Sequence, residues 1–444
     1  MASNNFYDVT KWNIGNPYED IGEVINSMIE DVKMCQKEND SNDGGKPGAV
    51  IFIPSGDYHL RTQVKIDISY LKIMGTGHGF VSSSIRFNTA ESKWKDLHEV
   101  WPGGSRILID LVPDGKDERS GAAFYVYREG EPRISSVEFS NFCIDGLHFV
   151  DDGSGAEPEN TYINGKTGIL VDCAHDSFRI SEMGIIYVEH GIVCCHADAL
   201  TIHDNFVAEC GNCIELRGDG QAAKITDNLI GAGFKGYSVF AENFGGLLVG
   251  VNNVFPRGSS SLHFSGVVRS SVTGNRFHSF YPGMLIMDKN CSENLVSANH
   301  FLRDHEPWPP MVAYDNGRED DFGLIRISGN NNSVISNHIS ETIDRQYLKP
   351  CGVTPVIIYV EKGHGNYIAN NHIVATTEGQ KEEDREESCF SAQVGALLTI
   401  DSLKDLEVTA VFISEQAVKN TVLDTCKEEE GKLDREKNVF RALP

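Results

Sequence analysis

The sequence predicts an all-β protein, a right-handed single-stranded parallel β-helix with an N-terminal capping helix and loop insertions. Three observations support this fold class: a phrase that recurs along the chain, period-two alternation of apolar residues between Gly, Pro and Asp turns, and a single segment with helical spacing. All-β architectures often continue past about 200 residues as one unit. We therefore predict one β-helix domain over residues 1–444.

The recurring phrase is an alternating apolar tripeptide followed by Asn and another apolar residue, as in LTIHDNFV, AKITDNLI and SVISNHI. Its asparagines are spaced by 23, 25, 22 and 24 residues, and then by 38 and 34 residues where loops are inserted. They are Asn205, Asn228, Asn253, Asn275, Asn299, Asn337 and Asn371. Such a period is typical of one rung of a parallel β-helix. We expect these asparagines to adopt the left-handed backbone of sharp corners and to hydrogen-bond along the stack.

The N-terminal segment 18–36 has the spacing of an amphipathic helix. Its apolar stripe consists of Ile21, Val24, Ile25, Met28, Ile29 and Val32. The end rung of a solenoid exposes unpaired strand edges, so a cap is required there. We predict that this helix covers the N-terminal end of the stack.

The rungs follow over residues 48–375, and residues 376–444 are interpreted as a C-terminal insertion with the last rungs. Three stretches rich in charged residues, Gly or Pro break the rhythm and are predicted to be loops: 147–166, 303–322 and 376–390. Insertions on a rigid scaffold often form binding faces, although a solvated charge run is the simpler interpretation of the third.

The charge balance restricts the partners. The chain has 39 basic and 64 acidic side chains, a formal net charge of -25. This charge repels phosphate backbones, anionic membranes and polyanionic sugars. We expect a neutral ligand, with no nucleic acid and no membrane as partner.

The compartment is predicted from the first residues and the cysteines. The segment MASNNFYDVTKWNIGNPYED has neither a basic start nor an apolar core, so we see no signal peptide. The eleven cysteines are scattered through a chain too large to need disulfides. Both features favour the cytoplasm.

The stretch DALTIHDNFVAECGNCIELRG, residues 198–218, concentrates reactive side chains. Cys210 and Cys213 form a CxxC motif, but no βαβ unit or second close ligand pair accompanies it. Small inward-facing or corner cysteines of a rung are the simpler interpretation. We predict no metal and no cofactor.

The same stretch holds the acids Asp204, Glu209 and Glu215. Glycosyl transfer needs two carboxyl groups, one to protonate the leaving oxygen and one to act at the anomeric carbon. Asp204 pairs with Glu215 if the chain turns tightly between them, or with Asp227 one period later. Spacing does not choose between these pairs, and a solvated acidic surface is a third interpretation.

Several segments, in order, resemble the inulin fructotransferase family of parallel β-helix enzymes, which also contains the difructose dianhydride III hydrolases. They include YLKIMGTGHGF, YINGKTGI, DSFRISEMGIIYVEHGIV, ADALTIHDNFVAECGNCIEL, NNVFPRG and FYPGML. The likeness extends from about residue 7 to the mid-370s. It implies an enzyme acting on a fructose disaccharide or fructan, and a homotrimer with active sites between subunits.

The resemblance also implies which acids are catalytic. The family's Asp and Glu carry over onto Asp204 and Glu215. We expect Glu215, beside apolar residues that desolvate it, to be the general acid/base, and Asp204 to be the nucleophile or the group that stabilises the oxocarbenium ion; the reverse assignment stays open. Candidates for recognition of sugar hydroxyls are His78, Asn212, Arg257 and Tyr281.

Two activities occur in the family. A transferase releases the dianhydride from inulin, whereas a hydrolase opens difructose dianhydride III with water to inulobiose. The missing signal peptide, the many cysteines and segment 376–398 favour the hydrolase. A β-helix polysaccharide lyase and a non-catalytic β-helix protein are two further interpretations of the same fold.

Overall fold

The computed structural model describes residues 5–38, 48–79, 103–146, 163–232, 236–256, 260–279, 283–304, 323–344, 356–378, 391–394, 409–424, 426–428 and 439–440. They belong to two compact units, Met1–Leu216 and Arg217–Pro444. In both units short strands stack into three long sheets of almost exclusively parallel pairing. The predicted parallel β-helix class is confirmed.

The first unit passes through its three sheets in turn at each rung. Its first sheet contains Phe6–Asp8, Ala49–Ile53, Leu71–Gly75, Glu138–Ser140, Arg179–Ser181 and Thr201–His203. Its second sheet contains Gly56–Leu60, Ser105–Ile109, Cys143–Asp145, Gly184–Ile186 and Phe206–Cys210. Its third sheet contains Val64–Ile66, Ala122–Val126, Thr167–Val171, His190–Cys195 and Asn212–Arg217. Two-residue strands form a small fourth sheet: Ile134–Ser135, His175–Asp176 and Ala197–Asp198.

The second unit has the same internal order. Its first sheet contains Lys224–Thr226, Leu248–Gly250, Ser271–Thr273, Leu295–Ser297, Ser333–Ile335, Tyr367–Ala369, Thr421–Val422 and Val439–Phe440. Its second sheet contains Leu229–Ala232, Val254–Phe255, Arg276–Ser279, His300–Asp304, His338–Asp344, His372–Glu378 and Ser391–Val394, and the last pair is antiparallel. Its third sheet contains Tyr237–Glu242, Ser260–Ser265, Leu285–Met287, Ile325–Ile327, Val356–Val360, Thr409–Ile413 and Cys426–Glu428. Short pairs join Gly220–Gln221 to Phe244–Gly245 and Gly363–His364 to Ala417–Val418.

Buried amide side chains form a hydrogen-bonded column at one corner of the second unit. At each step the side-chain nitrogen of one member donates to the side-chain oxygen of the next over 2.8–3.0 Å. The members are, in order, Asn228, Asn253, Asn275, Asn299, Asn337, Asn371 and Asp424. In the first unit, Asn205 donates to the Ile180 carbonyl and accepts from the Met183 amide, both at 3.0 Å. The predicted bonding along the stack is confirmed.

The predicted left-handed backbone lies one residue earlier than expected. The residue before each asparagine of the repeat, rather than the asparagine, has φ between +55° and +71°: Asp204, Asp227, Asn252, Gly274, Ala298, Ser336 and Asn370. The asparagine amide has to point inward to reach its neighbour, so the left-handed bend from one sheet to the next falls on the residue before it. The expectation that Asn takes the left-handed conformation was wrong.

A second amide column was not expected from the sequence. Asn294 donates to Asn332 at 3.0 Å, Asn332 to Asn366 at 3.2 Å, and Asn366 to Asn420 at 3.0 Å. These asparagines are at most 2% exposed. Two corners of the second unit are therefore held by the same interaction.

The N-terminal helix runs over Ile21–Glu38 rather than 18–36. It begins later because the Asp20 carboxylate accepts the Gly22 amide at 3.1 Å, in the manner of a helix N-cap, and also accepts the amides of Arg61 and Thr62. The whole predicted apolar stripe is at most 2% exposed. Asn26 bonds to the backbone of Gln63 and Lys65 beside the first strand of the third sheet, which caps that edge.

The rung interiors are apolar. In the second unit, Phe255, Phe277 and Phe301 stack face to face with centroid distances of 4.5 and 4.6 Å. In the first unit, Cys210 and Cys213 are fully buried and form no disulfide, and the Cys210 thiol donates to the Ala208 carbonyl at 3.3 Å. Both cysteines are thus buried residues of the rung, and Cys213 shares the strand face of Glu215.

Most of the predicted loop stretches 147–166, 303–322 and 376–390 lies outside the described residues. Within the described ranges, no helix combines the length and the apolar character needed to cross a bilayer. The prediction of a single domain over 1–444 stays a prediction.

Asn299→Ala is expected to destabilise the protein by about 3 kcal/mol, because it leaves several buried polar groups without partners. Asn299 donates to Asn337 and to the Val272 carbonyl, and accepts from the amide and side chain of Asn275. Urea unfolding followed by circular dichroism measures the effect. The control is Asn290→Ala at an exposed turn; equal stability of the two variants would contradict a stabilising role for the column.

Candidate active site

The stretch 198–218 forms most of one rung of the first unit. Thr201–His203 lies in the first sheet, Asp204 is the left-handed corner residue, Phe206–Cys210 lies in the second sheet and Asn212–Arg217 lies in the third. The course of the rung therefore places Asp204 at a corner, Glu209 at the end of the second-sheet strand and Glu215 on the third sheet.

Glu215 is a buried carboxyl group on the third sheet. Its neighbours Ile214 and Leu216 are fully buried, and strand alternation directs the Glu215 side chain to the opposite face. Glu215 is nevertheless only 4% exposed. Its Oε1 lies 2.5 Å from Nδ1 of His190 on the preceding strand. A buried carboxyl held by an imidazole is a suitable group for proton transfer.

His190 lies between two carboxyl groups. Its Nδ1 contacts Glu215, and its Nε2 lies 3.6 Å from Oε1 of Glu118. Glu118 begins the short 3-10 helix Glu118–Gly121, which Asp117 caps by accepting the Arg119 amide. This arrangement orients Glu215 and connects it through the imidazole to a more exposed acid.

Sequence reasoning missed this contact, because a single histidine at a turn and an acid in a loop carry no local signal of a site. The signal that points to His190 is its spacing. It precedes Glu215 by 25 residues, about one rung, which places the two residues on consecutive strands of the third sheet. His190 is opposite Asn212, and Glu215 lies three residues further along that strand.

Asp204 is an exposed carboxylate, with 58% of its side chain accessible. It accepts a hydrogen bond from Nδ1 of His203 at 2.7 Å. Its φ of +56° is shared by the corresponding corner residues of other rungs, so this conformation belongs to the scaffold. A ligand that contacts Asp204 has to approach this corner from the solvent side.

Asp204 and Glu215 lie on different faces of their rung. Phe206–Cys210 and the turn at Glu209, where φ is +55°, separate them. A five-residue strand covers about 17 Å. The two acids of a glycosidase stand roughly 5 to 10 Å apart. The structure therefore does not bring these two side chains of one chain into a single pocket.

The other acids have structural positions. Glu209 is half-buried at its turn, where its carbonyl accepts the Tyr187 amide. Asp227, in the second unit, accepts from the side chain of Asn252 at 2.8 Å.

The residues predicted to recognise hydroxyl groups are only partly described. His78 is half-buried, and burial lowers its pKa, which the nearby Glu182 carboxylate partly offsets. Glu182 is the left-handed corner residue one rung before Asp204, so His78 lies on the Asp204 side. Asn212 begins the Glu215 strand and donates its amide to the Glu189 carbonyl at 2.8 Å. Arg257 and Tyr281 lie outside the described residues.

A cleft of about 730 Å³ lies between the helix and the third sheet of the first unit. The rings of Tyr125 and Tyr127 stack in it, 5.9 Å apart and tilted by 8°. The Tyr125 hydroxyl donates to Asp172, which pairs with Arg119. Arg119 is adjacent to Glu118, so the cleft and the Glu215 cluster share the 3-10 helix. The volume of this cleft lies within the range of small-molecule sites, but most of its walls are polar or charged.

Among the residues that the structure describes, no group of three or more His, Cys, Asp or Glu side chains is arranged to hold a metal ion. The chemistry that can be assigned to this site is that of carboxyl groups and imidazoles.

Comparison with known proteins agrees with these features. A family model described as the beta helix repeat of inulin fructotransferase matches residues 298–444, and a model described as periplasmic copper-binding protein (NosD) matches 120–310. A curated relative, the DFA-I-forming inulin fructotransferase of Arthrobacter globiformis, is 42% identical over 382 residues, which cover 84% of this chain and 90% of the relative.

Crystal structures of the DFA-IIIase from Arthrobacter chlorophenolicus A6 are similar over the whole length. The complex with DFA-III is 56% identical, covers 100% of this chain and 99% of that chain, and has a TM-score of 0.85. The form without its lid, in complex with GF2, is 56% identical with full coverage of both chains and a TM-score of 0.85. Together with the β-helix rungs, these similarities show that the chain belongs to the inulin fructotransferase family of parallel β-helix enzymes.

Proposed function

We propose that this protein is a glycoside hydrolase that opens difructose dianhydride III (DFA-III) with water to give inulobiose. The observation that carries the proposal is the full-length similarity, at 56% identity, to a DFA-IIIase crystallised with DFA-III. The negative charge of the chain agrees with a neutral sugar as ligand.

Asp204 and Glu215 are the proposed catalytic pair. Glu215, buried and held by His190, acts as the general acid/base that protonates the departing fructosyl oxygen and then activates water. Asp204, exposed at its corner, acts at the anomeric carbon as the nucleophile or as the stabiliser of positive charge. In the same proposal, sugar hydroxyl groups are recognised by four residues: His78, Asn212, Arg257 and Tyr281. No metal or cofactor is needed.

The active protein is proposed to be a homotrimer with active sites between subunits. Geometry supports this assembly, because Asp204 and Glu215 of one chain lie on different faces of one rung. In a closed ring, the corner of one subunit faces a different surface of its neighbour. Asp204 of one chain then meets Glu215 of the next at catalytic distance.

A second candidate is release of a difructose dianhydride from inulin. The observation that favours it is the 42% identity to a DFA-I-forming inulin fructotransferase. We favour hydrolysis because identity to the DFA-IIIases is higher and extends over the whole chain. A cytoplasmic location belongs to the same proposal, since a hydrolase of an imported disaccharide can act there.

The product assay tests the function directly. The purified protein is incubated separately with inulin and with DFA-III, and the products are resolved by chromatography. Inulobiose from DFA-III, with inulin unchanged, is the expected result. Dianhydride accumulating from inulin would identify the transferase instead, and no product from either sugar would contradict both candidates.

Asp204→Asn and Glu215→Gln are each expected to lower kcat for DFA-III by about 1,000-fold or more, since each removes a group that acts on the reacting bond. The matched control is Asp227→Asn, the same change at the equivalent corner 23 residues later. Its kcat should stay within a few-fold of the wild type. Circular dichroism confirms folding of all three, and an active Asp204→Asn protein would refute the assignment.

Co-expression of Asp204→Asn with Glu215→Gln is expected to give mixed trimers with about a third of wild-type activity, because one site of the three in each mixed ring then has an intact acid from each chain. The readout is specific activity of doubly tagged, mixed oligomers. The control replaces the second variant by the double variant, which leaves no intact Asp204. Mixed oligomers without activity would show that each site uses both acids of one chain.

A further inference from the structure

Three histidines form a column on the second sheet of the second unit. His300, His338 and His372 are directly opposite one another on successive parallel strands. Each follows an asparagine of the buried amide column, so strand alternation places the asparagines inside and the histidines outside. The amide column therefore fixes the register of the imidazoles.

The last two imidazoles point their nitrogens at each other. Nδ1 of His338 lies 3.0 Å from Nδ1 of His372, and the two rings are inclined by 64° with centroids 4.9 Å apart. His300 packs edge-on against His338 at 5.0 Å, and its Nε2 lies 3.2 Å from the Ser340 hydroxyl. Two facing ring nitrogens at this distance share either a proton or a cation.

The separation of the two nitrogens fits a metal ion. Transition metals bind imidazole nitrogen at about 2.0–2.1 Å. Two nitrogens at right angles around such an ion lie about 2.9 Å apart, and right-angled coordination is the preference of Cu²⁺ and Ni²⁺. The 3.0 Å between Nδ1 of His338 and Nδ1 of His372 matches this separation.

The imidazoles are available as ligands. His338 is exposed, and a cleft of about 410 Å³ lined by Arg276, His300 and His338 opens beside it. This cleft gives room for the water molecules that complete a coordination sphere.

We propose that His338 and His372 form a two-histidine binding site for a divalent transition-metal ion of the Cu²⁺ or Ni²⁺ type, with water in the remaining positions. Its donors differ from the acids and imidazole of the candidate active site. A bound ion links the strands His338–Asp344 and His372–Glu378 and stabilises the folded state by mass action.

The test uses full-length protein without a histidine tag. Equilibrium dialysis against NiCl₂ is expected to show one Ni²⁺ fewer per chain for His338→Gln and for His372→Gln than for the wild type. His364→Gln, an exposed histidine on another strand, is the control and retains the wild-type stoichiometry. Gln keeps the polarity of the site, and unchanged circular dichroism verifies the fold.

Electron paramagnetic resonance of the Cu²⁺-loaded protein gives an independent readout. The wild type is expected to show hyperfine splitting from two imidazole nitrogens, reduced to one nitrogen in either column variant. Equal stoichiometry and equal spectra in the wild type and both column variants would overturn the proposal, as would a wild type that takes up no Ni²⁺.

Discussion

Hydrogen bonds between buried amide side chains at the corners of successive rungs are the interaction on which the rest of the structure depends. Strand backbones pair along the stack, but backbone groups at a corner have to find other partners, because buried polar groups without partners are costly. Asn275, for example, accepts from the side chain of Asn253 and donates to the carbonyl of Val249. The spacing of these asparagines thus sets which residues of neighbouring rungs face each other.

Chemistry in this fold follows from the pairing of strands in neighbouring rungs rather than from local sequence motifs. His190 and Glu215 are 25 residues apart and form a hydrogen bond at 2.5 Å, because they belong to consecutive strands of one sheet. By the same rule, residues of one rung are spread over its different faces. Asp204 and Glu215, only eleven residues apart, are thereby separated by the second-sheet strand.

Much of the fold could be predicted from the sequence. The Asn period located the corners, and the apolar stripe from Ile21 to Val32 located the capping helix, although its start depended on a tertiary interaction of Asp20 with Arg61 and Thr62. The second amide column was missed because the recurring sequence phrase contains only the asparagines of the first column. The left-handed residue was misassigned by one position. Which residue of the corner points its side chain inward depends on the hydrogen bonds between rungs, and the sequence of one rung does not show them.

The site could be predicted only in part. The residue types and the family resemblance pointed to Asp204 and Glu215, yet the His190 and Glu118 contacts require the register of the third sheet. Within one chain the second-sheet strand Phe206–Cys210 separates the two acids, a distance that their eleven-residue spacing does not reveal.

The most direct test of a site shared between subunits is a crystal structure of Glu215→Gln with DFA-III. The proposed mechanism predicts that the sugar lies between two chains, with Asp204 of one subunit at an anomeric carbon and residue 215 of its neighbour at the leaving oxygen. A sugar bound to a single chain, with Asp204 and residue 215 of that chain both in contact with it, would contradict it.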